Sequence, residues 1–85
     1  MPKPKSRIIN LGFDNVVIRD RIVAVAASEP KPIKRLISEA RRTNRVIDAT
    51  HGRRTRSVIV TDSDYIILSA SEPKTLAQRI DGVQA

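Results

Sequence analysis

Eighty-five residues with 16 Lys and Arg against 9 Asp and Glu carry a formal charge of +7, and the chain has no cysteine and one histidine. A chain this short is a single domain that buries only about 60% of its unfolded surface, and without thiols neither a disulfide nor a tetrahedral zinc site of the usual kind can staple it, which leaves self-association. Phe13 and Tyr65 are the only aromatics besides the lone His51, too few for the base-stacking platforms of single-strand binders, so any nucleic-acid contact must rest mainly on charge.

In chain order, residues 1–7 form a basic extension that no apolar run follows, so neither a signal peptide nor a membrane anchor is expected. Residues 8–81 are expected to make one domain, and residues 82–85 to fray. Arg7–Leu11 reads as a strand ending at Gly12, and Asn15–Ile18 as a second strand after the Gly12-Phe13-Asp14 turn. Arg21–Ala27 is a near-continuous small apolar run, the pattern of a buried central strand, with Arg19-Asp20 as a tight hairpin before it.

A helix is expected from Ser28 to about Asn44. Ser28 can cap it, Glu29 suits the positive end of the helix dipole, and Pro30 and Pro32 are tolerated only in a first turn. Ile33, Leu36, Ile37 and Ala40 follow helical spacing and should face the core. The opposite face carries Lys31, Lys34, Arg35, Ser38, Arg41, Arg42 and Arg45, which reads either as a solvated exterior or as a docking face for an acidic partner.

Val46–Ala49 then reads as a short strand, Thr50–Arg56 as a charged connection and Ser57–Thr61 as a strand. Asp62-Ser63-Asp64 is turn-rich, and Tyr65–Ala70 returns as the next strand. Ser71-Glu72-Pro73-Lys74 opens a second helix with Leu76, Ala77 and Ile80 as its apolar stripe and Gly82 as its stop. Ala27-Ser28-Glu29-Pro30-Lys31 recurs as Ala70-Ser71-Glu72-Pro73-Lys74. Two readings stay open: a duplicated strand-strand-helix unit, or the composition that any strand-to-helix turn selects. The class expected is α+β, a small mainly antiparallel sheet with two helices.

The charge is concentrated. Residues 1–56 hold 14 basic and 5 acidic side chains, a balance of +9, whereas residues 57–85 hold 2 and 4, a balance of −2. Gly52-Arg53-Arg54-Thr55-Arg56 is the densest point. Three guanidiniums so close repel one another unless an anion joins them, and the arginine fork suits phosphate oxygens. Gly52 would allow close approach or positive φ, and Thr55 a hydroxyl donor. If this segment were already strand, alternation would put Arg54 and Arg56 on one face. The structural alternative pairs these arginines with Asp48, Asp62 or Asp64. Asp48, His51, Asp62 and Asp64 match no metal-ligand spacing, and no phosphate loop, nucleotide fingerprint or Ser-His-Asp order occurs, so neither catalysis nor a cofactor or metal is expected. Double-stranded DNA is the expected partner, with an RNA- or acidic-protein-interaction module using the cationic helix face as the alternative.

Ile9-Asn10-Leu11-Gly12-Phe13, Pro32-Ile33-Lys34-Arg35-Leu36-Ile37, the run Ile47-Asp48-Ala49-Thr50-His51-Gly52-Arg53-Arg54-Thr55-Arg56, Thr61-Asp62-Ser63-Asp64 and Ile67-Leu68-Ser69-Ala70 together resemble the RemA family of bacterial extracellular-matrix regulators over about residues 8–80. The resemblance implies a cytoplasmic, nucleoid-associated DNA-binding regulator of matrix (biofilm) genes that assembles as a homo-oligomeric ring. It implies DNA contacts by Arg53, Arg54 and Arg56, with Arg21 as a further arginine of functional weight. Asp14 stands where the family commonly has glycine, and His51 where it commonly has tyrosine.

Overall fold

The computed structural model describes residues 7–82. Most of the basic extension and the last three residues, expected to fray, lie outside them. Ile8–Gly12 (β1) and Asn15–Ile18 (β2) pair antiparallel around a two-residue turn in which Phe13 and Asp14 both take positive φ, 52° and 65°. That is the turn hand that matches strand twist. Asn15 secures it by donating from Nδ2 to the carbonyls of Gly12 and Phe13, each at 3.2 Å.

The hairpin stands apart from a four-stranded sheet made of Ile22–Ala27 (β3), Val46–Asp48 (β4), Ser57–Thr61 (β5) and Ile66–Ser69 (β6), in the order β3-β5-β6-β4. β5 is antiparallel to both neighbours and β4 is parallel to β6. Three strands therefore point one way and β5 the other. The α+β class holds, with the strands divided between two sheets and one parallel pair among the antiparallel ones.

β5 and β6 are buried on both faces, and alternate residues serve two cores. Val58, Ile66 and Leu68 pack with Ala40, Ile33 and Ile37 of a helix at Lys31–Arg42 (α1). Ile59 and Ile67 pack on the other side with Leu76 of a helix at Pro73–Asp81 (α2) and with Ile9, Leu11 and Val17 of the hairpin. The layers are thus α1, the sheet, and α2 with the hairpin. Burying a side chain such as Ile59 or Leu76, about 1% and 0% exposed, contributes roughly 1.5–3 kcal/mol.

Five expectations need correction. The apolar run of β3 is an edge strand and half open, with Val23 65% exposed, because its neighbour on one side only is β5. Arg19-Asp20 is not a hairpin: Arg19–Arg21 is a single 3₁₀ turn that passes the chain from the small sheet to the large one. Ser28 does not cap α1. Pro30 holds that position, and the Ser28 hydroxyl donates instead to the carbonyl of Thr55 at 2.9 Å. Leu36, expected in the core, is exposed at 38%, since α1 turns only its Ile33, Ile37 and Ala40 side to the sheet. The helix also stops at Arg42, where Thr43 Oγ1 donates to the Glu39 carbonyl and Asn44 takes φ 58°. Gly82 ends α2 at φ 77°, as expected.

Candidate functional site

The segment from Ala49 to Arg56 leaves β4 at one edge and enters β5 beyond β6, so it arches over the C-terminal end of β6. Its first turn is built by Asp48, whose Oδ1 accepts from the Thr50 hydroxyl at 2.6 Å and from the Thr50 amide at 2.9 Å. The Arg53 amide donates to the Thr50 carbonyl at 3.0 Å, and His51 and Gly52 make the corner at φ 55° and 79°. A Cβ on Gly52 would meet no atom within 4 Å, so the glycine answers the backbone twist there.

The Thr50 hydroxyl, and then its amide, hold the Asp48 carboxyl below its ordinary value. A carboxylate with a depressed folded value stabilises the fold above the unfolded value and loses that contribution as pH falls through the folded one. The turn should therefore loosen only below the ordinary carboxylate range. We expect exchange protection of the Thr50 amide to fall on acidification below about pH 4, and Asp48→Asn, which keeps an acceptor oxygen, to remove that acid step. An unchanged acid profile in the variant would show that another group controls the loop.

Beyond this turn the chain is clasped from both sides by the two copies of the repeated pentapeptide. On the β3 side the Ser28 amide donates to the Arg56 carbonyl at 3.2 Å, joining the hydroxyl bond to Thr55. On the β6 side the Arg56 amide donates to the Ser69 carbonyl at 2.9 Å and the Ser57 hydroxyl to the Ser71 carbonyl at 2.8 Å. Both copies lie at the same end of the sheet because β3 and β6 are parallel to each other, each antiparallel to β5.

The three arginines emerge exposed from this clasp. Residues 53–56 precede β5, so the alternation that would place Arg54 and Arg56 together does not apply. Arg54 turns toward the β3 corner, where its Nη2 lies 2.6 Å from Glu29 Oε1. Arg56 turns toward the β6 corner, where its Nη1 lies 3.0 Å from Glu72 Oε1. Arg53 makes no ion pair among the described residues. Its guanidinium carbon lies 5.2 Å from the centre of the Phe13 ring, and Phe13 stacks on His51 with ring centres 4.9 Å apart and planes 7° from parallel. The arginine partners are thus Glu29, Glu72 and Phe13. Of the aspartates weighed for that role, Asp48 binds Thr50, and Asp62 binds Arg21 at 2.6 Å.

Arg21 lies elsewhere. It precedes β3 at the end where Ile22 pairs with Thr61, whereas the cluster sits where Ala27 pairs with Ser57. Six residues of strand separate the two ends, about 20 Å. The structure gathers Arg53, Arg54 and Arg56 and leaves Arg21 at the far rim of the sheet.

Around the cluster, Ser28, Glu29, Lys34, Ile37, Arg54 and Thr55 line an open cleft of about 300 Å³, which brings a lysine of α1 beside the loop. Lys31, Lys34, Arg35, Arg41 and Arg42 are exposed along α1, and Arg42 is engaged by Glu39 at 2.8 Å. Among the described residues no three His, Asp or Glu side chains gather in a metal-binding group, and no helix is long and apolar enough to cross a membrane. Two features escaped the reading from sequence. The Phe13–His51–Arg53 stack joins residues too far apart in the chain to suggest each other. The pairing of Glu29 and Glu72 with the cluster had a signal, since the repeat places a glutamate at the same point in each copy.

The model of the family described as RemA-like, Extracellular matrix regulatory protein A-like, matches residues 8–80. Similar proteins include one from Shouchella clausii, 55% identical over 82 residues, covering 92% of this chain and 94% of the relative. One from Alkaliphilus metalliredigens is 57% identical over 79 residues, covering 93% and 85%, and one from Symbiobacterium thermophilum is 55% identical over 74 residues, covering 87% and 78%. Each bears the name "Putative regulatory protein".

Proposed function

The chain belongs to the RemA-like family, whose description is that of a regulatory protein, and from that premise we propose that it regulates transcription by binding double-stranded DNA through Arg53, Arg54 and Arg56. The observation that carries this reading is the arginine rim. Three exposed guanidiniums rise from one short stretch of a loop braced by seven hydrogen bonds to the flanking corners and to its own turn, so they meet a phosphate backbone without first having to order the loop. Such contacts position a protein on a duplex and carry no base code of their own. Sequence preference then comes from DNA shape and from the phasing of repeated sites.

A ring of identical subunits is the second part of the proposal. β3 and β4 are open edges on opposite sides of the sheet, the arrangement a head-to-tail, closing assembly requires. Ile22, Val23, Val25, Ala77 and Ile80 line an open recess of about 440 Å³ beside the β3 edge, apolar enough to receive another copy. A ring repeats a small cationic rim many times, and avidity replaces strong single contacts. Such a protein would act on the nucleoid, and matrix (biofilm) genes are the targets the family description favours.

Salt tests the reading. Log K for duplex DNA falls with log salt at about −0.9 per phosphate neutralised, so a duplex that engages all three arginines of a subunit gives a slope near −2.7 for each bound subunit. An electrophoretic shift that is flat between low and moderate salt would overturn the proposal. Structured RNA or an acidic protein that outcompetes duplex DNA would move the function to the exposed face of α1.

A further inference from the structure

Each of the two glutamates of the repeat pairs with one arginine of the rim. Glu29 and Glu72 lie immediately before Pro30 and Pro73, at the corners that begin α1 and α2, and each carboxylate holds one guanidinium of the rim. The side chains are open to solvent, 70% and 71% exposed for Arg54 and Glu29 and 48% and 58% for Arg56 and Glu72. Exposed pairs of this kind contribute little to folding. The loop is moreover already held by the serine hydroxyls and backbone bonds of the clasp, so the fold does not need them. Their effect falls on the arginines: two of the three positive charges arrive at an incoming polyanion already compensated.

We propose that Glu29 and Glu72 are built-in counter-anions that hold Arg54 and Arg56 in check, so that unspecific phosphate backbones meet mainly Arg53, and only a ligand that places oxygens at both outer positions displaces the carboxylates. The proposal rests on the DNA-binding reading for its biological meaning, but it is a statement about guanidinium availability. Arg53 needs no such guard, because Phe13 steers its guanidinium by the ring face without neutralising it. The repeated pentapeptide thereby has a use that neither a helix cap nor a remnant of duplication supplies: it delivers one acid to each side of the rim.

The test compares Glu29→Gln, Glu72→Gln and the double variant with Glu39→Gln, which removes the same charge from the remote Glu39–Arg42 pair on α1. Two probes are used, a heparin column and duplex DNA of random sequence, with circular dichroism melts to verify folding. The double variant should elute from heparin at higher salt and bind random DNA roughly tenfold more tightly at low salt, the range expected when two exposed pairs are released. Its salt slope should steepen by up to about 1.8, while Glu39→Gln moves little. Equal shifts for all variants would reduce the effect to net charge and overturn the proposal. Weaker binding by the double variant would also overturn it, by showing that the glutamates position the arginines for phosphate. If duplex DNA binds neither wild type nor variants while the heparin shifts appear, the counter-anions stand and the DNA reading falls.

Discussion

Replacing Arg53 and Arg54 together by alanine should weaken binding of a duplex with phased sites about a hundredfold or more per subunit, and of random DNA by less, with the melting curve and the assembly state unchanged. Hydrogen bonds to charged groups are worth about 1.5–3 kcal/mol each, so two lost arginine contacts exceed a hundredfold in the equilibrium constant at the low end. The side chains are exposed, and the clasp that shapes the loop uses the backbone of Thr55 and Arg56 and the serine hydroxyls. Removing the guanidiniums therefore leaves the loop in place. Electrophoretic shifts at two salt concentrations, read beside light scattering, separate this from a structural role. Loss of the oligomer in the variant would mean that these arginines hold subunits together instead of DNA.

If subunits join through the β3 edge as proposed, replacing Val23 by glutamate should leave only monomers. Among the described residues Val23 is the most exposed of the large apolar side chains, on an open strand edge, and a charge there without a partner would be buried at every junction. An uncompensated buried charge costs about 3–5 kcal/mol, enough to raise the dissociation constant by about two to nearly four orders of magnitude. Sedimentation or light scattering at a fixed concentration checks it. Tight DNA binding should vanish as well, since a lone rim lacks avidity. A variant that keeps the mass of the wild type would exclude the β3 edge as the junction, and a wild type that is itself monomeric on DNA would exclude the ring.

Much of the fold was legible in the residues. The turn at Phe13-Asp14, the apolar stripe of α1 at Ile33, Ile37 and Ala40, the paired strands at residues 57–61 and 66–69 and the stop at Gly82 all answer to local rules of turn chemistry and spacing. β3 did not, for a physical reason. Small apolar residues in a row report that a strand leaves water, and they say nothing of whether its own domain or a neighbour covers it. The site was half legible. A dense arginine cluster is visible in one dimension, but its partners, Glu29 at a separation of 25 residues and Glu72 at 16, belong to the tertiary structure. The aspartates nearest in sequence were plausible partners and turned out to be occupied, Asp48 by its own turn and Asp62 by Arg21.

The serine clasp has a consequence for strand register. Val58, Ile59 and Val60 form an unbroken apolar run that faces a core on either side, so hydrophobic alternation, which normally forbids a strand to slip by one residue, discriminates weakly here. A slip would exchange valine for isoleucine between two greasy layers, a difference of one methylene. The bonds from Ser28 to Thr55 and from Ser57 to Ser71 are satisfied in one alignment only. They act as a detent, and what they index is the heading at which the chain leaves the sheet, and with it the side from which each arginine faces solvent.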